Sequence, residues 1–309
     1  MKLQCLFVAL ALLLTACADV IAPPGPGHDT PAIEDGVFLT RDGLRLPLRH
    51  WDAAQPRAII VALHGMSDYS NAFDMPATWW AAHGITTLAY DQRGFGAAPN
   101  PGLWGGGDAM RQDLADCVAA AREKYPQLPV YALGESMGGA VLLSALASPE
   151  PPRIDGAILV APAVWSRADM PFYYRAALWL AAHLLPATHF SGNGLHIVPS
   201  DNIAMLRKLS RDPLFQHSSR SDQVYGLVNL MDSARRAPAH LEASPPPILF
   251  LYGARDQIIP AAPTRAVVAE LGPRAHALAY DHGYHMLLRD LDGPILWQDI
   301  AAWILGPKK

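Results

Sequence analysis

Val130-Tyr131-Ala132-Leu133-Gly134-Glu135-Ser136-Met137-Gly138-Gly139-Ala140-Val141-Leu142-Leu143 decides the fold. An apolar run of strand length passes through Gly-x-Ser-x-Gly into an Ala/Leu-rich stretch, so the serine stands at a strand-to-helix corner. Glycines flank it at 134 and 138 because the corner is too tight for side chains there, and the strain presents the hydroxyl to a base and a substrate. The pattern alone is common. Its position between a buried strand and a helix is what makes it informative.

Working outward, Gly36 to Thr40 and Leu44 to His50 flank Arg41-Asp42-Gly43 and read as a β-hairpin. Apolar runs of strand length recur at Ala58 to Leu63, Thr86 to Tyr90, Val130 to Leu133, Ala157 to Val160, Ile248 to Tyr252 and Ala275 to Tyr280, mostly separated by Ala-rich helical stretches. Continuous apolar strands alternating with helices predict an α/β fold whose mostly parallel central sheet is flanked by helices on both faces. The alternation breaks between Ala163 and Leu241, where Met170 to Pro186 is helical and rich in aromatic and leucine side chains. Too short to cross a bilayer, it reads as part of a helical cap inserted after the sixth strand, with an apolar face toward the substrate. A helix packed wholly into the core is the competing reading.

A serine hydroxyl needs a base to activate it and a carboxylate to orient the base. In a sheet of this type these follow the serine in chain order, acid first, each after a late strand. Asp256 stands just past Ile248 to Tyr252, although a turn residue or an ion-pair partner for Arg255 would also fit there. After Ala275 to Tyr280 come His282 and His285; His285 is favoured because it opens the last helical stretch, and His282 remains open. Two backbone N–H groups must stabilise the oxyanion. Met137, right after the serine, supplies one, and Met66 in His64-Gly65-Met66 is expected to supply the other, with His64 fixing the loop. Asp91-Gln92-Arg93-Gly94 reads as a structural turn in which Arg93 is tied by hydrogen bonds. Glu135 is expected to point away from the serine. Gly105-Gly106-Gly107 lacks the lysine of a phosphate loop and reads as a flexible surface turn.

The segments around His64-Gly65, Asp91-Gln92-Arg93-Gly94, Gly134 to Gly139, Asp256 and His285 resemble α/β-hydrolases of the monoacylglycerol lipase and lysophospholipase group, also called serine aminopeptidase S33-like. The resemblance spans about Gly36 to Leu305 and includes Asp212-Pro213. It implies a catalytic triad of Ser136, His285 and Asp256 and hydrolysis of carboxylic esters of amphiphilic lipids. A small-ester esterase, an S33-type peptidase and a non-catalytic envelope ligand-binding lipoprotein are the alternatives. The chain departs from the group's usual pattern at Glu135, where histidine is frequent, at Ser67, where glycine is frequent, and at Ala97-Ala98, where a serine is common.

The N-terminus reads separately. Lys2 precedes an apolar stretch from Leu6 to Leu14, as in a secretory signal over residues 1–16. Leu14-Thr15-Ala16-Cys17 resembles a bacterial lipobox, which implies lipidation of Cys17; an ordinary cleavage site is the alternative. Ala18 after the cysteine favours the outer membrane, so a lipid-anchored, periplasm-facing envelope protein is expected, with a secreted or periplasmic soluble form as the alternative. Residues 17–35 are then the lipidated end and a semi-rigid, unpacked Pro/Gly tether, residues 36–162 and 242–309 the core, and residues 163–241 the cap. Cys117 is left as a buried thiol without a disulfide partner. A net charge of −4 without a basic face gives no footprint for nucleic acid. Neither Cys-x-x-Cys nor His-x-x-x-His occurs at plausible ligand positions, so no metal or cofactor is implied.

Overall fold

A computed structural model describes residues 21–191 and 196–307; the expected signal segment and Cys17 lie outside the described residues. Nine strands form one sheet: β1 (Ala32–Glu34), β2 (Val37–Leu39), β3 (Arg45–Trp51), β4 (Ala58–Leu63), β5 (Ile85–Tyr90), β6 (Val130–Glu135), β7 (Gly156–Val160), β10 (Ile248–Gly253) and β11 (Ala275–Tyr280). Their spatial order is β1-β2-β3-β5-β4-β6-β7-β10-β11. The sheet is parallel from β5 to β11 and antiparallel at its β1–β3 end, where Phe38 pairs with Leu46 across the expected hairpin. Two further strands among the described residues, β8 (His189–Phe190) and β9 (Ser219–Arg220), make a separate two-residue ladder.

The apolar runs are continuous because both faces of the sheet are covered. Every residue of β4 is buried; Ile59, Val61 and Leu63 pack with Leu114, Cys117 and Val141 on one face, and Ala58, Ile60 and Ala62 pack with Trp80, Leu296 and Ile300 on the other. Four helices carry these residues: α1 (Asp74–Ala82) and α8 (Gly293–Leu305) on the second face, α2 (Gly107–Lys124) and α3 (Met137–Leu146) on the first. Between β7 and β10 the chain inserts α4 (Phe172–Leu184), α5 (Ile203–Leu209) and α6 (Ser221–Arg236), and α7 (Ala261–Leu271) links β10 to β11. The insertion follows the seventh strand of the structure, not the sixth, because Ala32–Glu34 adds an edge strand that its three residues do not advertise.

Two expectations need correction, and one competing reading falls. Residues 21–29 are not an unpacked tether: Ala22 N–H donates to Trp104 O at 2.7 Å, Gly25 N–H to Asp42 Oδ2 at 2.9 Å and Asp29 N–H to Arg41 O at 2.8 Å. Pro and Gly removed competing side chains and left the backbone free to pair with the hairpin turn. Gly105-Gly106-Gly107 is not a surface turn; Gly105 and Gly106 are buried, Arg93 sits where a Gly105 side chain would go, and Gly107 opens α2. The helix at Met170 to Pro186 forms as α4, but Ala182 is its only buried residue, and Phe172 and Leu184 are 78% and 64% exposed. It is therefore not packed into the core, and much of its apolar face is open to solvent.

Arg93 is tied down as expected, donating to both oxygens of Asp113 at 2.6 and 2.7 Å and to both of Asp42 at 2.7 and 2.8 Å. This forked ion cluster joins the hairpin turn to α2. Cys117 is buried and free.

Candidate active site

Strand β6 is pinned between β4 and β7 and ends where α3 begins, so Ser136 is held at the sheet's C-terminal edge. Its backbone has φ 53° and ψ −113°, a strained conformation for a residue with a side chain. Ser136 N–H donates to Val160 O at 2.9 Å, and Ser136 O accepts from Ala140 and Ala163, so the surrounding structure fixes that strain. The glycines are required by close approach: a Cβ on Gly134 would strike the backbone of Gly138, and one on Gly138 the Leu63 carbonyl.

Asp256 follows β10 in a tight turn. Its Oδ1 accepts from Ile258 N–H at 2.7 Å and Ile259 N–H at 3.0 Å, which leaves Oδ2 aimed away from the turn. His285 lies in the loop after β11, two residues before a single 3-10 turn (Leu287–Arg289), with the last helix starting only at Gly293. Gly253 allows the two loops to meet, since a Cβ there would collide with the Gly283 carbonyl. His285 Nδ1 is 2.8 Å from Asp256 Oδ2, and Nε2 is 2.9 Å from Ser136 Oγ. A proton on Nδ1 satisfies the carboxylate, so Nε2 is left to accept from the serine hydroxyl. The competing histidine goes elsewhere: His282 is exposed and bonds Arg255 through Nδ1 at 2.7 Å. Asp256 thus serves its turn and His285 together, and Arg255 is not its partner.

The loop after β4 lies against the nucleophile. An ideal Cβ on Gly65 would stand 3.3 Å from Ser136 Cβ and 3.8 Å from its Oγ. His64 is fully buried and locks this loop: Nδ1–H donates to Gly65 O at 2.8 Å and Nε2 accepts from Gln92 N–H at 2.9 Å. Burial lowers its basicity, in keeping with a neutral ring. Met137 is the first residue of α3, so its N–H belongs to the first turn, whose amides have no intrahelical acceptor. Ser67, next to Met66, has φ 71°.

The inserted segment grips these loops. Gln216 N–H donates to Ser67 O at 2.8 Å, and Tyr69 Oη donates to Asp212 Oδ2 at 2.7 Å. On the other side, Met286 N–H donates to Pro199 O at 2.9 Å and Asn202 Nδ2 to Arg289 O at 2.9 Å. Glu135 does turn from the serine and is buried near Arg289; burial pushes its carboxyl above the ordinary range, against the pull of Arg289. Sequence reading gave Arg289 and Asp68 no role. The available signal was a carboxylate inside a buried strand, which demands a cationic partner. No group of three or more His, Cys, Asp or Glu side chains among the described residues is arranged to hold a metal.

Comparison with known proteins follows the same outline. The sequence model of the family described as "Serine aminopeptidase, S33" matches residues 54–292. The chain is similar to the monoacylglycerol lipase of Mycolicibacterium smegmatis, 24% identical over 87% of this chain and 96% of that one, and to human monoglyceride lipase, 24% identical over 90% and 91%. Its fold is similar to that of a soluble variant of Saccharomyces cerevisiae monoglyceride lipase solved with a substrate analogue, with a TM-score of 0.73, 18% identity and coverage of 92% and 98%.

Proposed function

The chain belongs to the serine aminopeptidase S33 family of α/β-hydrolases, and from that premise we propose that it hydrolyses carboxylic esters of amphiphilic lipids, of monoacylglycerol or lysophospholipid type. The observation that carries the reading is the unbroken hydrogen-bonded path from Ser136 Oγ through His285 to Asp256.

Ser136 Oγ attacks the ester carbonyl carbon as His285 Nε2 takes its proton, and Asp256 holds the resulting imidazolium. The carbonyl oxygen becomes an oxyanion and accepts from the Met66 and Met137 N–H groups; loss of one such donor typically costs about 3 kcal/mol. Collapse breaks the C–O bond to the alcohol, which leaves with the Nε2 proton. Water then gives a proton to His285 and attacks the acyl-enzyme, releasing the acid and restoring Ser136.

The lipid part is supported by the exposed apolar side chains of α4, with Phe172, Trp179, Leu180 and Leu184 among them, and by the lipases among the relatives. A peptidase reading is weaker, because a free amino terminus needs an unspent carboxylate. Residues 163–241 contain five aspartates and no glutamate, and each aspartate already has a partner: Asp169 with Ser166, Asp201 with Leu291 N–H, Asp212 with Tyr69, Asp222 with Arg220 and Asp232 with Arg167. We place the protein at the bacterial envelope through lipidated Cys17; incorporation of labelled palmitate, lost in Cys17→Ala, tests this.

The central test is a p-nitrophenyl ester series from acetate to palmitate with Ser136→Ala alongside. Serine-dependent turnover that rises toward medium or long chains is expected. Activity that survives Ser136→Ala refutes the assignment, and a maximum at acetate removes the lipid part.

A further inference from the structure

Three charged side chains that play no part in the mechanism meet beneath the site, and each is a near neighbour in sequence of a reacting group. Glu135 precedes Ser136, Asp68 is two residues past Met66, and Arg289 is four past His285. Arg289 Nη2 is 2.6 Å from Asp68 Oδ2 and 3.4 Å from Glu135 Oε2. All three are almost completely buried. The Asp68 contact is close but poorly aligned for a hydrogen bond, and Glu135 Oε1 and Arg289 Nε make none with the described residues.

Charges buried with incomplete pairing weaken a fold relative to apolar side chains of the same volume. A cluster of this kind, placed where three functional loops converge, calls for another account. The backbone on either side of His285 is pinned as well: Tyr284 N–H donates to Asp290 Oδ2 at 2.7 Å, Met286 N–H to Pro199 O, and Asp290 Oδ1 accepts from buried Ser200 Oγ at 2.6 Å. Arg289, the last residue of the 3-10 turn, is the one among these groups that crosses to Asp68 and Glu135.

We propose that Arg289 is a positioning residue, which through Asp68 and Glu135 sets the spacing between the base, the nucleophile and the oxyanion loop. The guanidinium suits this work because its planar fork fixes direction as well as distance, which a lysine ammonium does not. Asp68 holds the oxyanion loop toward the histidine loop, and Glu135, the last residue of β6, holds the end of that strand toward both. The carboxylates do not touch substrate; they act through Met66, Ser136 and His285. The inference rests on the roles given above to those three residues.

The experiment compares kcat and KM for p-nitrophenyl butyrate, with active sites counted by a fluorophosphonate, in Asp68→Asn, Arg289→Lys and the neutral triple variant Asp68→Asn/Glu135→Gln/Arg289→Met, all well below their melting temperatures. Removal of all three charges together avoids leaving one unpaired. Misplacement by about 1 Å costs on the order of a hundredfold in rate, so kcat is expected to fall about tenfold in Asp68→Asn and about a hundredfold in the triple, with KM within twofold and the count of active sites unchanged. Arg289→Lys should keep the melting temperature and still lose kcat. Near wild-type kcat in Asp68→Asn overturns the proposal, as does a loss of rate that follows only the fraction of folded protein. Should the triple fail to fold, Asp68→Asn decides alone. Ser136→Ala in the same assay keeps the two readings apart: if it is inactive while Asp68→Asn is unimpaired, the triad stands and the positioning role falls.

Discussion

Gly65→Ala isolates the geometry of the oxyanion loop from the stability of the fold. Gly65 is not one of the glycines with a positive φ, so alanine suits the backbone there. The new methyl would lie 3.3 Å from Ser136 Cβ, whereas carbon atoms rest at about 3.5–4.0 Å. The loop must therefore retreat by about 0.2–0.7 Å, and it carries the N–H of Met66. With on the order of a hundredfold in rate per ångström, kcat should fall about 2.5–25-fold, equivalent to about 0.5–1.9 kcal/mol of activation free energy. Stability should change by less than about 1 kcal/mol, because a single contact is tight by only a few tenths of an ångström and no cavity forms. Steady-state turnover of p-nitrophenyl butyrate beside a thermal melt reads both quantities. A variant with unchanged kcat would refute the placement of this loop, and so would one whose loss of rate is matched by a collapse in melting temperature.

Ser67→Gly should stabilise the protein by about 1 kcal/mol, since φ 71° costs a serine and not a glycine; a lower denaturation midpoint would show that the hydroxyl has an overriding role. Arg93→Met should cost about 3–5 kcal/mol because it strands Asp113 and Asp42. Burial already pushes the Asp113 carboxyl up to about 6, above its value in an unfolded chain, so protonation favours the folded form and the deficit should narrow as the pH falls toward 5 in urea titrations. Replacing exposed Phe172 and Leu184 with serine should leave the melt and short soluble esters unaffected while turnover of monoacylglycerol in vesicles falls several-fold; equal rates on both substrates would detach α4 from lipid recognition.

The parts of this protein that were legible in its sequence are those encoded locally. Gly134 and Gly138 constrain each other across four residues, and the apolar strands record burial on both faces, so elbow, sheet and chain order could be read directly. Choosing between His282 and His285 needed the path of the loop after β11, which turns one ring to Arg255 and the other to Ser136. The Arg289 cluster joins residues up to 221 positions apart, and no periodicity reports such a meeting. Residues 21–29 are illegible in sequence for a related reason: a Pro/Gly stretch carries no pattern of its own, and its ordering comes from carbonyls at Arg41 and Trp104. For α4 the helical period was plain, but an apolar stripe does not say whether protein, lipid or water faces it.

The pairing of Ile21 and Ala22 with Trp104 would limit the leash of the domain were Cys17 acylated as proposed. Four peptide steps separate Cys17 from Ile21, at most about 14 Å when fully stretched. Such a chain would hold the domain within about 14 Å of the anchored cysteine and restrict its tumbling. The face around Ile21 and Trp104 would ride close to the bilayer, and the enzyme would search for substrate in two dimensions, at a local concentration fixed by the membrane and not by the surrounding fluid.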